Sequence, residues 1–179
     1  MSNPVRLRPI AERDLDLLER LFEAPDEAAQ FAYFGHRNPG ALRRQWAQTG
    51  FIAEERGRLA IAGEDDRFVG EVQWHQVMLG PASPCWNIGI ALLSAERGKG
   101  YGKQAQRQLV EYLFSHTKVN RVEASTDIAN VAEQRALQSA GFTREGVQRG
   151  ACFRAGQWRD MVVYSVLRSE VVLPGLSRP

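Results

Sequence analysis

Glu96-Arg97-Gly98-Lys99-Gly100-Tyr101-Gly102-Lys103 is the stretch whose reading decides the rest of the chain. Glycine recurs at alternate positions, so the main chain can take left-handed conformations and a ligand can approach its amides closely. Directly afterwards, Ala105, Leu109, Val110, Leu113 and Phe114 fall on one face of a long amphipathic helix. A turn that opens a helix aims unpaired N–H groups and the positive end of the helix dipole at the same point. Arg97, Lys99 and Lys103 add cationic charge. The pattern predicts an anion site suited to a phosphate or pyrophosphate.

Two other phosphate motifs do not fit. A Walker-type loop needs more residues between its glycine and the Gly-Lys-Ser/Thr end, and Gln104 stands where its magnesium-binding hydroxyl belongs. A dinucleotide fingerprint can be laid on Gly100, Gly102 and Ala105, with Glu123 or Asp127 as the ribose acid. That fingerprint directly follows its strand, whereas Leu93 to Arg97 intervene in this chain.

Working outward, Trp86 to Leu92 reads as a strand before the turn and Arg121 to Thr126 as a strand after the helix. Strand, helix, strand is a parallel crossover. Antiparallel hairpins are predicted on both sides of it. One joins residues 58–62 and 67–74 around Glu64-Asp65-Asp66, and the other joins 147–153 and 161–167 around Ala155-Gly156-Gln157. Val5 to Pro9 reads as a first strand, and helices are predicted over 12–23 and over 39–48 behind Asn38-Pro39. A short helix carries Ala132, Ala136, Leu137 and Ala140 and is stopped by Gly141. Phe31 to His36 reads as an irregular aromatic loop. The expected fold class is α/β (α+β), a mixed sheet with helices, in a single domain over residues 1–173 with a frayed tail over 174–179.

Composition narrows the function classes. The 179 residues include 23 Lys+Arg and 21 Asp+Glu, a formal charge of +2, with 44% hydrophobic residues. Such values describe a soluble globular protein and exclude a coiled coil, a collagen-like rod or a disordered tail. Near-neutrality argues against a dedicated nucleic-acid binder. No apolar run is long enough to span a membrane, and the N-terminus lacks a signal-peptide core. Cys85, Cys152, His36, His75 and His116 form no metal-ligand spacing, so no metal is expected and the cysteines read as free thiols of a cytoplasmic protein.

The Arg-x-x-Gly-x-Gly pattern from Arg97 to Gly102 closely resembles the acyl-CoA site of the GNAT N-acetyltransferase superfamily, and the resemblance covers nearly the whole chain. Arg6-Leu7-Arg8-Pro9 with Asp14 is similar to that family's opening strand and helix. Asn87-Ile88-Gly89-Ile90 followed by Arg97 to Tyr101 resembles its RimJ/RimL-like branch, as does the ending Gly156-Gln157-Trp158-Arg159-Asp160 with Tyr164, while Asn130 followed by Gly141-Phe142 and Glu145-Gly146 resembles the family's second cofactor segment. The resemblance implies a mostly antiparallel sheet with one parallel, splayed strand pair. It also implies acetyl-CoA as cosubstrate and direct transfer of the acetyl group to a primary amine in a ternary complex. The acceptor expected from it is a protein N-terminus or a small-molecule amine, and the expected state of the protein a monomer or homodimer. By the same resemblance, Ala91, Leu92 and Leu93 pair with the pantetheine arm, Arg97, Gly98, Lys99, Gly100, Tyr101, Gly102 and Lys103 hold the pyrophosphate, and Asn130 contacts the pantetheine region. Asn130 also suits a plain N-cap. A backbone N–H on the splayed strand would stabilise the oxyanion.

This chain departs from the family pattern where the proton chemistry belongs. Asn87 stands where relatives often carry Glu, Leu137 where other branches carry an acidic tyrosine, and Glu133 where RimL-like enzymes carry a serine. The acid and base stay open. Glu71, which alternation places on one strand face with Gln73 and His75, and Glu133 are the catalytic candidates; each also suits an ordinary salt-bridged carboxylate. His75 as base, or proximity with a water relay, are alternatives. Phe31, Tyr33, Phe34, Trp74 and Trp158 are the aromatic candidates for the acceptor wall, although such residues also build cores, and Asp160 and Glu71 would attract a cationic amine. A non-catalytic acyl-CoA-binding module of the same fold is the competing class.

Overall fold

The computed structural model of the chain describes residues 4–24, 29–36, 38 and 40–173, so the expected tail from Pro174 lies outside the described residues. In chain order the elements are β1 (Arg6–Arg8), α1 (Leu15–Glu23), α2 (Ala29–Ala32), α3 (Ala41–Thr49), β2 (Ile52–Ala53), β3 (Arg56–Ala62) and β4 (Phe68–Met78). They continue with β5 (Pro84–Leu92), α4 (Tyr101–His116), β6 (Arg121–Asp127), α5 (Val131–Ser139), β7 (Thr143–Arg154) and β8 (Gln157–Leu167). The strands form one sheet in the order β1-β3-β4-β5-β6-β8-β7, with β2 on β3. Within it β5 and β6 run parallel and every other pair is antiparallel. This is the mixed sheet read from the strand–helix–strand pattern.

Each face of the sheet carries its own core. On one, Leu109, Leu113 and Phe114 of α4 and Leu137 of α5 pack on Val72, Ile88, Val122 and Tyr164. On the other, Leu15, Leu18, Leu21 and Phe22 of α1 and Leu42 of α3 pack on Ala60 and Phe68. Leu18, Leu109 and Leu113 are all 0% exposed, and burial of one such side chain stabilises by about 1.5–3 kcal/mol. The helical spacing of these leucines is therefore core spacing.

Two local expectations shift. The third helix begins at Ala41 behind Gly40, which holds the cap position at φ 69. Asn38 acts further out, its side-chain oxygen accepting from Arg44 at 2.9 Å. The aromatic segment is partly helical, because α2 takes in Phe31 and Ala32. The closing hairpin turns on Ala155 (φ 50) and Gly156 (φ 77), a two-residue left-handed turn that matches the twist of its strands.

One feature of the sheet positions the site. β5 pairs with β6 over Trp86, Asn87 and Ile88. Beyond them β5 stays registered with β4 as far as Leu92, opposite Gly70. β6 stays with β8 as far as Asp127, opposite Met161. Each arm is held by its outer neighbour while the inner edges part, opening a gap inside the sheet.

Candidate active site

The glycine turn sits at the mouth of that gap. Gly98 and Gly100 take φ values of 75 and 80, conformations that cost a side-chain-bearing residue steric strain. Gly100 is the N-cap of α4 and supplies no side-chain cap. Gln104 N–H to Gly100 C=O, at 3.4 Å, is the first bond of the helix ladder, so the amides of Tyr101, Gly102 and Lys103 precede it and open toward the turn. The cations of this stretch divide between two tasks. Lys99 Nζ lies 3.1 Å from the buried Glu96, which also takes Arg67 at 2.5 Å. The Arg67 hydrogen bond is the main cause that holds the Glu96 carboxyl below its ordinary value. Arg97 Nε donates to Leu92 C=O at 3.1 Å, and Arg97 and Lys103 both line the cleft.

The cleft itself has a volume of ≈ 650 Å³. It runs from Gly98, Gly100 and Gly102 between the parted arms, past Ile90, Ala91 and Leu92 on one side and Ser125 and Thr126 on the other. It ends against Leu21, Phe22, Phe31, Phe34 and Gln73. Asn130 caps α5 and also lines the cleft. Its Oδ1 accepts from Glu133 N–H at 3.3 Å. Its Nδ2 donates to Thr126 Oγ1 at 3.1 Å, tying α5 to β6. A turn of open main-chain amides thus leads into a slot whose walls are unpaired strand edges.

The sequence profile described as an acetyltransferase (GNAT) domain matches residues 5–143. The chain belongs to the GNAT acetyltransferase family. Among curated relatives, "Probable N-acetyltransferase YjcK" of Bacillus subtilis is 35% identical over 110 residues, 62% of this chain and 60% of that protein. "Uncharacterized N-acetyltransferase YnaD" of the same organism is 23% identical over 86% of this chain and 95% of its own length. The chain thus spans 60% of the length of the first of these relatives. Among solved structures, spermidine N-acetyltransferase from Vibrio cholerae, in complex with CoA and spermine, superposes with a TM-score of 0.77 at 15% identity, covering 93% of this chain and 96% of that one. Mycobacterium smegmatis RimJ, in complex with CoA-disulfide, gives a TM-score of 0.76 at 22% identity over 94% of this chain and 84% of that chain. These two likenesses concern the GNAT fold.

Within this GNAT fold, the side chains singled out from sequence separate into those that reach the cleft and those that do not. Ala91, Leu92, Arg97, Gly98, Gly100, Gly102, Lys103, Asn130, Glu133, Phe31 and Phe34 line it. Leu93 turns its N–H away, to Val69 C=O at 3.1 Å. Tyr101 packs its ring in the core at 5% exposure, so only its main chain faces the turn. Lys99 is held by Glu96.

The catalytic and acceptor-wall expectations require correction. Glu71 is 0% exposed, ion-paired with Arg58 at 3.4 Å, and does not line the cleft. Alternation placed it correctly beside Gln73, but Arg58 on the neighbouring strand covers it and in turn donates to Gln73 Oε1 at 3.0 Å. Trp74 points to the opposite face, into the α4 core beside Tyr112, and its ring fills the space a Cβ on Gly57 would need, 2.0 Å away. Trp158 is 69% exposed and meets Phe153 edge-on at the hairpin end, clear of the cleft. Asp160 accepts from Gly150 N–H at 2.8 Å and steadies β7. His75 is exposed.

Glu133 is half-buried on α5, and its carboxylate accepts from Gln106 Nε2. Burial pushes its carboxyl up, to about 7, against the lowering effect of that hydrogen bond. Gln106 and Arg154 are cleft residues that sequence reasoning missed. Gln106 carried a signal, as a polar residue on the apolar stripe of α4 beside Ala105, Leu109 and Val110. Arg154 carried none, because its partner Asp127 lies on β6. Its guanidinium pairs with Asp127, donates to Phe31 C=O at 3.2 Å and lies over the Phe31 ring. Burial alone would raise the Asp127 carboxyl, but Ala129 N–H and Arg154 outweigh it and hold it below its ordinary value. Among the described residues no helix is long and apolar enough to cross a membrane, and no group of three or more His, Cys, Asp and Glu could hold a metal ion.

Proposed function

We propose that this chain is an acetyl-CoA-dependent N-acetyltransferase that transfers an acetyl group directly to a primary amine in a ternary complex. The observation that carries the reading is the continuity of one cleft from the glycine turn, between the parted strands, to an aromatic chamber. The amides of residues 98–103 suit a pyrophosphate. The open inner edges of β5 and β6 suit an extended arm that carries amides of its own, hydrogen-bonded as a strand would be. The acceptor would enter past Phe31 and Phe34. Orientation of amine and thioester in one slot supplies much of the rate, and a β5 main-chain N–H suits the developing oxyanion.

The acceptor we infer is a protein N-terminus or a small-molecule amine, in a single-domain cytoplasmic protein of the RimJ/RimL-like branch, monomeric or homodimeric. The RimJ likeness supports the first class and the spermidine enzyme the second. Incubation with acetyl-CoA and a panel of N-terminal peptides, polyamines and aminoglycosides, with release of free thiol as the signal, tests the reading. Acceptor-dependent thiol release supports it. Asn87 and Leu137, where the family resemblance implies an ionisable side chain, favour one alternative, a non-catalytic acyl-CoA-binding module. CoA binding without turnover on the whole panel would select that alternative.

A further inference from the structure

Gln106 lies one turn into α4, 1% exposed, at the point where the cleft passes between α4 and α5. Its Nε2 donates to Glu133 Oε1. Its Oε1 is buried and has no hydrogen-bond partner. Because Nε2 is engaged by Glu133 Oε1, the amide oxygen is the end that remains. A buried amide oxygen left without a donor is costly, and native proteins rarely keep one unless something supplies the donor. The open space beside Gln106 is the cleft, where a CoA arm would bring secondary amide N–H groups.

We propose that Gln106 is a positioning residue that couples bound cofactor to the proton donor. Its carbonyl oxygen accepts from an amide N–H of the CoA arm, while its own N–H holds Glu133 as the acid that protonates the departing thiolate. The inference rests on the acetyltransferase reading. In the transfer, the amine lone pair forms the N–C bond to the acetyl carbon and the C–S bond breaks with its electron pair on sulfur. Sulfur takes the proton of Glu133, the new amide nitrogen loses one proton to water, and Glu133 regains a proton from solvent.

Desolvation of Glu133, and not the charges around it, suits an acid that keeps its proton. Asn130 is neutral and caps the same turn. The charged residues that line the cleft around it are Lys103 on α4, Arg135 on α5 and Arg97 in the turn, with Asp127 and Arg154 paired at the end of β6. Burial is the main cause of the raised value, and Gln106 opposes it.

The test uses Gln106→Met, which keeps length and packing, with Gln106→Leu as a second shape, Glu133→Gln, and the double variant Gln106→Met/Glu133→Gln. Calorimetry with CoA is expected to show binding weakened about three- to tenfold in both Gln106 variants, the scale of one lost hydrogen bond, and unchanged in Glu133→Gln. Carbon-13 detection of the Glu133 carboxyl should show it titrating higher in Gln106→Met, because the ionised form has lost a donor. Glu133→Gln should lower kcat about tenfold, below the usual range for acid catalysis because a thiolate leaves readily. The double variant should be no slower than Glu133→Gln alone. Unchanged CoA affinity in both Gln106 variants, or kcat losses that simply add, overturns the proposal. Failure of the unsubstituted protein to bind CoA at all instead overturns the acetyltransferase reading beneath it.

Discussion

At its turn end the cleft is walled by main chain, by the amides after Gly98 and Gly100 and the parted edges of β5 and β6. At its far end it is walled by side chains, Leu21, Phe22, Phe31 and Phe34, braced by the Arg154–Asp127 pair. The first kind of wall depends on backbone conformation and tolerates many side chains, provided glycine stands where φ is positive. The second depends on which side chains meet across distant parts of the chain, and changes with each of them. A ligand common to a family suits the first, and a ligand that varies from member to member suits the second.

If the two ends are separable, substitutions should affect one and spare the other. The largest effect is expected for Arg154→Met. It leaves Asp127 buried without its cation and should cost about 3–5 kcal/mol, read as a lower urea midpoint, with CoA affinity retained within about twofold. A parallel loss of CoA binding would show that the ends are one unit. The cost also has a pH signature. The folded Asp127 carboxyl lies below its ordinary value of 3.8, so its stabilisation is complete above that value and fades as pH falls through the folded one. The gap between parent and variant should narrow in acid accordingly.

Gly100→Val comes next. At φ 80 a β-branched residue is strained and its side chain would crowd the phosphate path, so CoA binding should fall about a hundredfold by calorimetry, with a folding cost of about 1–2 kcal/mol. Unchanged affinity would remove the turn from the site. Arg97→Ala is the mildest, about two- to fivefold weaker for CoA, because an exposed charge is lost while the amides remain. A loss as large as that of Gly100→Val would mean that side-chain charge, not main chain, builds this end.

The contrast also explains what could be read from the amino-acid sequence. Gly98, Gly100 and Gly102 announce a main-chain site locally, and the stripe of Leu109, Val110 and Leu113 announces the helix behind it. Strand alternation placed Glu71, Gln73 and His75 on one face correctly. It carried no information about Arg58, whose contact with Glu71 exists only because β3 and β4 pair with Arg58 opposite Gln73. The places of Trp74 and Trp158 are hidden for the same reason, since an aromatic residue looks alike in a sequence whether it fills a core or stands in solvent. Where β5 leaves β6, after Ile88, is likewise set by the outer neighbours β4 and β8. The polar Gln106 within an apolar stripe was a local signal, and its meaning required Glu133 from the next helix.

The bond of Glu96 to both Arg67 and Lys99 has a mechanical consequence. Arg67 immediately precedes β4, so the glycine turn is riveted at its root to the middle of the sheet. Alternate glycines alone would make a slack loop that has to be ordered each time a ligand arrives. Anchored in this way, the turn loses its freedom when the chain folds, and its amides are already aligned before any phosphate meets them.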